Sequence, residues 1–411
     1  MTWAAGRPIA RGGAPCPASG ARTLRILYSH RTRSADGQRV HIDALTGALA
    51  RQGHEVLIVG PEGAHPAGAA PRALDAGVGG APGGLPRALR EGAEVAYGAL
   101  AAARLVRAGR RFRPDVLYER YNLYHHAGQA ARRALGVPWM LEVNAPLVAE
   151  RTAHGVHGAG GLALPAVARA SEGALWRGAD AVLPVTGVLA DMVAARGVPA
   201  ARVHVVPNGV DRTERSPGRA ATRARLGVEG RLVLGFTGFV RDWHGVDAAL
   251  RWLPSRADAV LLLVGDGPHA DALRALAASL GVADRLIVTG VVQREAVGDH
   301  VAAFDVALQP AATAYASPLK LQEYMIEARA IVGPDQPNIR ETVTHGESAL
   351  LVPPGDEAAL HAALDRLAGD AGLRGRLGEA ARALIGERDM TWAGNARRVT
   401  GIAEGLLAAR G

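Results

Sequence analysis

One cysteine, Cys16, stands in a chain of 411 residues, which excludes an intramolecular disulfide and any cysteine-built zinc site and fits a reducing, cytoplasmic compartment. Aromatic residues are only 4% of the chain and nowhere stud a basic stripe, so nucleic acid is not an expected partner. No apolar run reaches the roughly 18 residues of a membrane span. Residues 1–22, rich in Gly, Pro and Arg, lack the apolar centre of a signal peptide and read as a disordered tail. Lysine is as scarce as cysteine: of 47 Lys plus Arg, Lys320 is the lone lysine.

The remainder, 48% hydrophobic and 21% charged with a formal charge of +8, is that of a globular protein large enough for two cores. Such a charge suits nucleic acid, an anionic membrane or phosphorylated small molecules. The arginines, however, are scattered beside acids or on polar helix faces, as on a solvated surface. Arg104, Arg107, Arg110, Arg111 and Arg113 close an Ala/Leu helix, where positive charge suits the helix dipole.

Short aliphatic runs at 23–29, 55–61, 115–120, 138–144, 181–186 and 203–207 alternate with helical stretches. A second set begins at 232, 259, 286, 305, 330 and 349. Each passage has the length of a βαβ crossover, which predicts two doubly wound, Rossmann-like α/β domains with mostly parallel sheets. Residues 207–227 carry turn residues and charge without strand periodicity and read as the link. The expected limits are 23–208 for the first domain and 209–389 for the second. Segments 62–86 and 153–162 read as long loops.

In doubly wound sheets ligands sit beyond the carboxyl ends of strands. There the stretch "SPLKLQEYM" places Ser317 as an N-cap, Pro318 at the first helical position and Leu319 and Lys320 in the first turn. Free N–H groups at such a helix start form an anion site, most naturally for phosphate. Lys320 opposes the helix dipole unless an anion is bound. Glu323, one turn on, can accept hydrogen bonds from a ribose diol, or can simply pair with Lys320 on the helix surface. Gly37 permits close backbone approach, and His41 begins the next helix as a structural or acceptor-contacting group. Glu119, Arg120 and Tyr121 end a strand and are expected at the cleft, with mutual neutralisation of Glu119 and Arg120 as the alternative. His125 and His126 lack partners at metal spacing, so no metal site is assigned. The absence of a Gly-x-Ser-x-Gly elbow and of a P-loop removes the common hydrolase and NTPase readings.

From about residue 23 onward the chain resembles the GT-B glycosyltransferases of family 4, the retaining enzymes with a Glu-x7-Glu motif, and within them a Ser-Pro-Leu-Lys subgroup. The segment "EYMIEARAIVGPDQPNIRETV" carries the likeness, with Glu323 at the second motif glutamate, which in the family binds ribose. Tyr315 stands at the first, and Ala328 and Ala330 replace a usual Gly and Pro. "PNGVD" at 207–211 is similar to the family's domain link, and "GFTGFVRDWHGVD" to its diphosphate turn, implying roles for Gly238, Arg241 and His244, with Phe239 and His244 at the places of an Arg and a Lys. By the same likeness Gly265 and Gly267 of "VGDGP" edge the cleft, and Val291 and Val292 meet the base. Asn144 of "LEVNAP" replaces a histidine near the reacting sugar, and the likeness of "TWAGNARRV" implies a last helix, at 390–411, that crosses back to complete the first domain.

The resemblance implies a metal-independent, retaining sugar transfer from a nucleotide-diphosphate sugar, bound as substrate rather than as a tight cofactor, to an acceptor hydroxyl. Lys320, Arg241 and a protonated His244 would stabilise the leaving diphosphate. Since no carboxylate is recognisable as a nucleophile, front-face attack assisted by the leaving phosphate is implied. A sugar-nucleotide epimerase or a binding subunit without turnover are the alternatives. The likeness also leaves room for peripheral membrane contact through the first domain's basic helix.

Overall fold

A computed structural model describes residues 22–32, 37–67, 86–153, 161–211 and 218–410. All but the last residue of the expected disordered tail, and most of the two expected long loops, lie outside these described residues.

The first sheet contains β1 (Arg25–Ser29), β2 (Glu55–Gly60), β3 (Gly63–Pro66), β4 (Val116–Arg120), β5 (Trp139–Val143) and β6 (Ala181–Pro184) in the order β3-β2-β1-β4-β5-β6. The second contains β7 (Leu232–Thr237), β8 (Ala259–Val264), β9 (Leu286–Val288), β10 (Val306–Leu308), β11 (Ala330–Pro334) and β12 (Leu350–Val352) in the order β12-β11-β10-β7-β8-β9. Every pairing is parallel except β2 with β3. The two sheets wind alike. Each reverses its strand order at one point, between β1 and β4 and between β7 and β10, and there the loops part into a crevice.

Strands covered on both faces need apolar residues at every position, hence runs such as "AVLLLV" in β8. Alternate residues feed opposite layers: Leu234, Phe236, Leu261 and Leu263 pack on one side of the second sheet, and Val233, Val260, Leu262 and Val264 on the other. In the first sheet Ile26, Tyr28, Tyr118 and Met140 face one layer and Leu27, Leu117, Trp139 and Leu141 its opposite.

Three local expectations are corrected. Residues 203–207 form no strand; Val203 makes one isolated bridge to Val182 as the chain runs toward the second domain. The segment expected as a loop from 62 opens with β3, a short antiparallel edge whose "GAHP" lacks the β-branched residues that would announce it. The link contains the helix Gly218–Leu226, fastened to the second domain where Arg219 meets Asp305 at 2.7 Å and Arg223 meets it at 3.1 Å.

The helix Trp392–Ala408 does cross back. Its Trp392, Ala396, Val399 and Ala403 are buried in the same core as Ile26, Ile42 and Leu45 of the first domain.

Candidate functional site

Loops from the carboxyl ends of both sheets meet. Tyr315, after β10, donates its hydroxyl hydrogen to Glu150 on the first-domain helix Leu147–Ala153, while its carbonyl accepts from the Thr186 hydroxyl at 2.9 Å. Glu341 accepts the amides of Gly187 and Val188 at 2.8 and 3.1 Å. These contacts bring the loop after β10 and the end of the helix Pro337–Arg340 against helices of the first domain.

The helix carrying Lys320 runs from Leu319 to Ile326 and is capped by Pro318, one residue later than expected. Ser317 is therefore not the N-cap. Its hydroxyl oxygen accepts the Asn208 amide at 3.4 Å, and its carbonyl accepts Asn208 Nδ2 at 2.6 Å. Leu319 points into the first domain's core. Lys320 Nζ lies 3.9 Å from the centroid of the buried Phe236 ring, a cation–π seat on β7. Among the described residues the ammonium has no hydrogen bond or ion pair within bonding distance. Burial lowers its pKa to about 7, with Glu323 working in the opposite direction.

Gly238, exposed and left-handed at φ 115°, ends β7 so close to Lys320 that a Cβ there would lie 3.6 Å from both Cε and Nζ. The adjoining turn holds Arg241, whose guanidinium lies 4.9 Å from the Phe239 ring centroid. Its backbone N–H donates to His244 Nδ1 at 3.1 Å, which leaves Nε2 as the protonated nitrogen of the neutral ring. Burial, then the charges of Lys320 and Arg241, push His244 down to about 3. The imidazole is thus uncharged at neutral pH. The cation expected at this position is absent, and the positive charge at this turn comes from Lys320 and Arg241.

Gly265 and Gly267 serve the site indirectly. A Cβ at either would lie 2.2 Å from a backbone oxygen, that of Gly238 or of Val240, so both let the β8 loop close on the β7 turn. Val291 is 87% exposed on its loop, while Val292 is half-buried against the second core. Glu323, partly buried, is clasped by Arg294 from the helix Arg294–Ala303 and does not pair with Lys320.

On the first-domain side the expected trio is divided. Glu119 and Arg120 lie on opposite faces of the sheet and do not neutralise each other. Glu119 accepts the Gly128 amide at 2.9 Å beneath a helix, and burial raises its pKa to about 8. Arg120 donates to Glu142 at 2.5 Å, and the Tyr121 hydroxyl donates to Glu172 at 2.9 Å. All three are buried, so the exposed cleft contacts expected of them are not formed. Gly37 opens the helix Gly37–Arg51. His41 is buried between Glu142 Oε2 at 2.9 Å and Asn208 Oδ1 at 2.8 Å, and Asn144, half-buried, donates to Glu142 Oε1.

Glu142 is the residue that sequence reasoning missed. Burial alone would raise its pKa, yet His41, Arg120 and the Tyr118 hydroxyl hold it well below the usual carboxylate range. Its signal was a charge in the middle of an otherwise apolar strand. Asn208, in the "PNGVD" link, and Arg294 were missed as well. Among the described residues no group of three or more His, Cys, Asp or Glu could hold a metal ion, and no helix is long and apolar enough to cross a membrane.

Two family models match the chain: Glycosyltransferase Family 4 over residues 35–214 and Glycosyl transferases group 1 over residues 231–370. The 2-deoxystreptamine N-acetyl-D-glucosaminyltransferase of Streptomyces fradiae is 33% identical over 60% of this chain and 59% of its own length. The GDP-mannose-dependent alpha-(1-6)-phosphatidylinositol monomannoside mannosyltransferase of Mycolicibacterium smegmatis is 30% identical over 62% of this chain and 69% of its own. The chain thus spans between half and two thirds of the first curated relatives it matches. Among solved structures, HepE of Anabaena in complex with UDP superposes with a TM-score of 0.71 at 15% identity, covering 93% of this chain and 100% of that one.

Proposed function

The chain belongs to the GT-B glycosyltransferases, and from that premise we propose that it moves a sugar from a nucleotide-diphosphate donor to an acceptor hydroxyl with retention at the anomeric carbon. The observation that carries the reading is Lys320: a lone lysine at a helix start, seated on Phe236, facing an open glycine and holding no counter-ion among the described residues. Breaking the anomeric C–O bond puts negative charge on the leaving diphosphate. Lys320, the free N–H groups of the helix start and Arg241 are placed to stabilise it, and neutral His244 adds a hydrogen-bond donor rather than a charge. Glu323 would take the ribose diol after release from Arg294, and Gly238, Val291 and Val292 would line the nucleotide path.

The acceptor side has its own indication. The two curated relatives described above are named for 2-deoxystreptamine and for a phosphatidylinositol mannoside, which share a polyhydroxylated cyclohexane ring. We therefore propose a cyclitol or a cyclitol glycoside as acceptor. Arg104, Arg107, Arg110 and Arg111 stand exposed and without ion pairs among the described residues, beside an exposed Leu100, which supports peripheral contact with an anionic surface.

The test is a thermal-shift screen with UDP, GDP, ADP, dTDP and their sugars, followed by transfer assays with cyclitol acceptors and anomer analysis by NMR. Stabilisation by one nucleotide family and an acceptor-dependent release of nucleoside diphosphate are expected. Turnover of donor without acceptor to a second nucleotide sugar would identify an epimerase. Donor binding with no turnover would identify a binding subunit, and an inverted product would remove the retaining assignment.

A further inference from the structure

Polar side chains from both domains form one unbroken hydrogen-bonded line through buried space. It begins at the cleft with Asn144, passes through Glu142, His41 and Asn208, and ends on the loop and helix that carry Lys320. Glu142 is 2% exposed, His41 4%, Asn208 7% and Gln322 1%.

We propose that His41 and Asn208 are positioning residues that set Lys320 against the acceptor-side Asn144. The proposal rests on the transferase reading above. Its geometric basis is that Asn208 grips the lysine helix on both sides of Lys320. Its Nδ2 donates to the Ser317 carbonyl at 2.6 Å, and its own carbonyl accepts Gln322 Nε2 at 2.9 Å. With residues 317 and 322 both fixed to one side chain and its backbone, the intervening turn has little freedom to rotate.

The orientation of each link is determined. Since Asn208 Nδ2 is committed to Ser317, its Oδ1 must face His41 Nδ1, while His41 Nε2 faces the Glu142 carboxylate. With an acceptor on each side both ring nitrogens must carry hydrogen, and only the imidazolium form of this compact ring donates in two opposite directions; an amide placed there reaches only one partner well. Glu142 in turn is saturated. Oε1 takes Arg120 and Asn144, and Oε2 takes Tyr118 at 2.6 Å and His41. Apolar side chains would hold two domains together at lower desolvation cost, but a directional polar chain also fixes their register. A displacement of about 1 Å at a reacting group costs about 10²-fold in rate.

The test compares parent protein with His41→Gln and Gln322→Met, reading kcat for transfer, nucleotide Kd by calorimetry and thermal midpoint. Gln322→Met keeps the volume and deletes one grip on the helix, so it serves should His41→Gln fail to fold. The expected result is a kcat lowered about 10- to 100-fold with nucleotide Kd within about threefold of parent, because the diphosphate still finds Lys320 but at the wrong register. Unchanged kcat in folded variants overturns the proposal. So does a loss of kcat and nucleotide affinity in equal proportion, the signature of simple destabilisation. A parent that turns over no nucleotide sugar overturns both readings, whereas an active parent with equally active variants overturns this one alone.

Discussion

Tyr315 of the second domain donates its hydroxyl hydrogen to Glu150 of the first in a hydrogen bond that crosses between the two sheets. Position 315 is where the family resemblance puts the first motif glutamate. A carboxylate is therefore present beside that position, but the other domain supplies it. Burial and then Glu150 raise the phenol's pKa, so Tyr315 remains a neutral donor. Replacing it by Phe leaves Glu150 partly buried without this donor and should lower stability by about 1–3 kcal/mol in urea denaturation. Tyr315→Glu sets two carboxylates face to face and should cost more. Combination with Glu150→Gln should recover most of that loss.

Lys320 makes a prediction about protons. Its folded pKa near 7 lies below the unfolded value of 10.5. Between those limits the unfolded chain holds the proton and the folded one does not, so ligand-free stability should rise as pH increases from about 7 toward 10. A bound diphosphate reverses the balance by favouring the ammonium. Calorimetry at pH 8 in buffers of different ionisation enthalpy should show uptake of close to one proton with nucleoside diphosphate, and none with Lys320→Met. Equal uptake by both proteins would remove Lys320 from the phosphate site.

Glu323 and Arg294 bear on affinity rather than rate. Glu323→Ala should weaken nucleoside diphosphate binding about 10- to 100-fold, the value of charge-assisted hydrogen bonds to a diol. Arg294→Ala frees the carboxylate in advance and should tighten binding by a few-fold, because the ligand no longer displaces an ion pair. Titration calorimetry of both variants measures the two effects. Weaker binding by Arg294→Ala would show that the arginine orients Glu323 and does not compete for it.

Ala328 lies in the left-handed region at φ 53°, where the family resemblance has glycine. The backbone has kept a glycine conformation under an alanine. Its carbonyl also approaches Gly378 so closely that a Cβ there would lie 2.1 Å away, which prevents the turn from relaxing toward that side. Ala328→Gly should therefore stabilise the second domain by about 1 kcal/mol and raise Tm by roughly 2–4 °C in thermal denaturation.

The strands were legible in the sequence because doubly covered sheets demand uninterrupted apolar runs, and all six strands of the second sheet fall where such runs begin. β3 was not legible, since its pairing comes from folding back on β2 and not from any preference of "GAHP". The cleft-facing helix with Lys320 and Glu323 was readable from its cap chemistry to within one residue. What local pattern could not reveal was partnership across distance. Glu119 and Arg120 are neighbours in the chain, and the pleat sends them to opposite faces. Glu142 and Asn208 acquire their roles only when four separate segments are folded together. His244 illustrates the same point electrostatically: its type suggested a cation, and its burial beside two cations removes the charge.

The crossing helix has a consequence for the order in which the protein is made. Residues 392–408 furnish a wall of the core that also holds Ile26, Leu45 and Tyr118. On the ribosome the second domain has all its strands available while the half begun first still lacks this wall. The domain synthesised first is thus the last to seal, and any chain released before Trp392 leaves its apolar face open to chaperones and proteases.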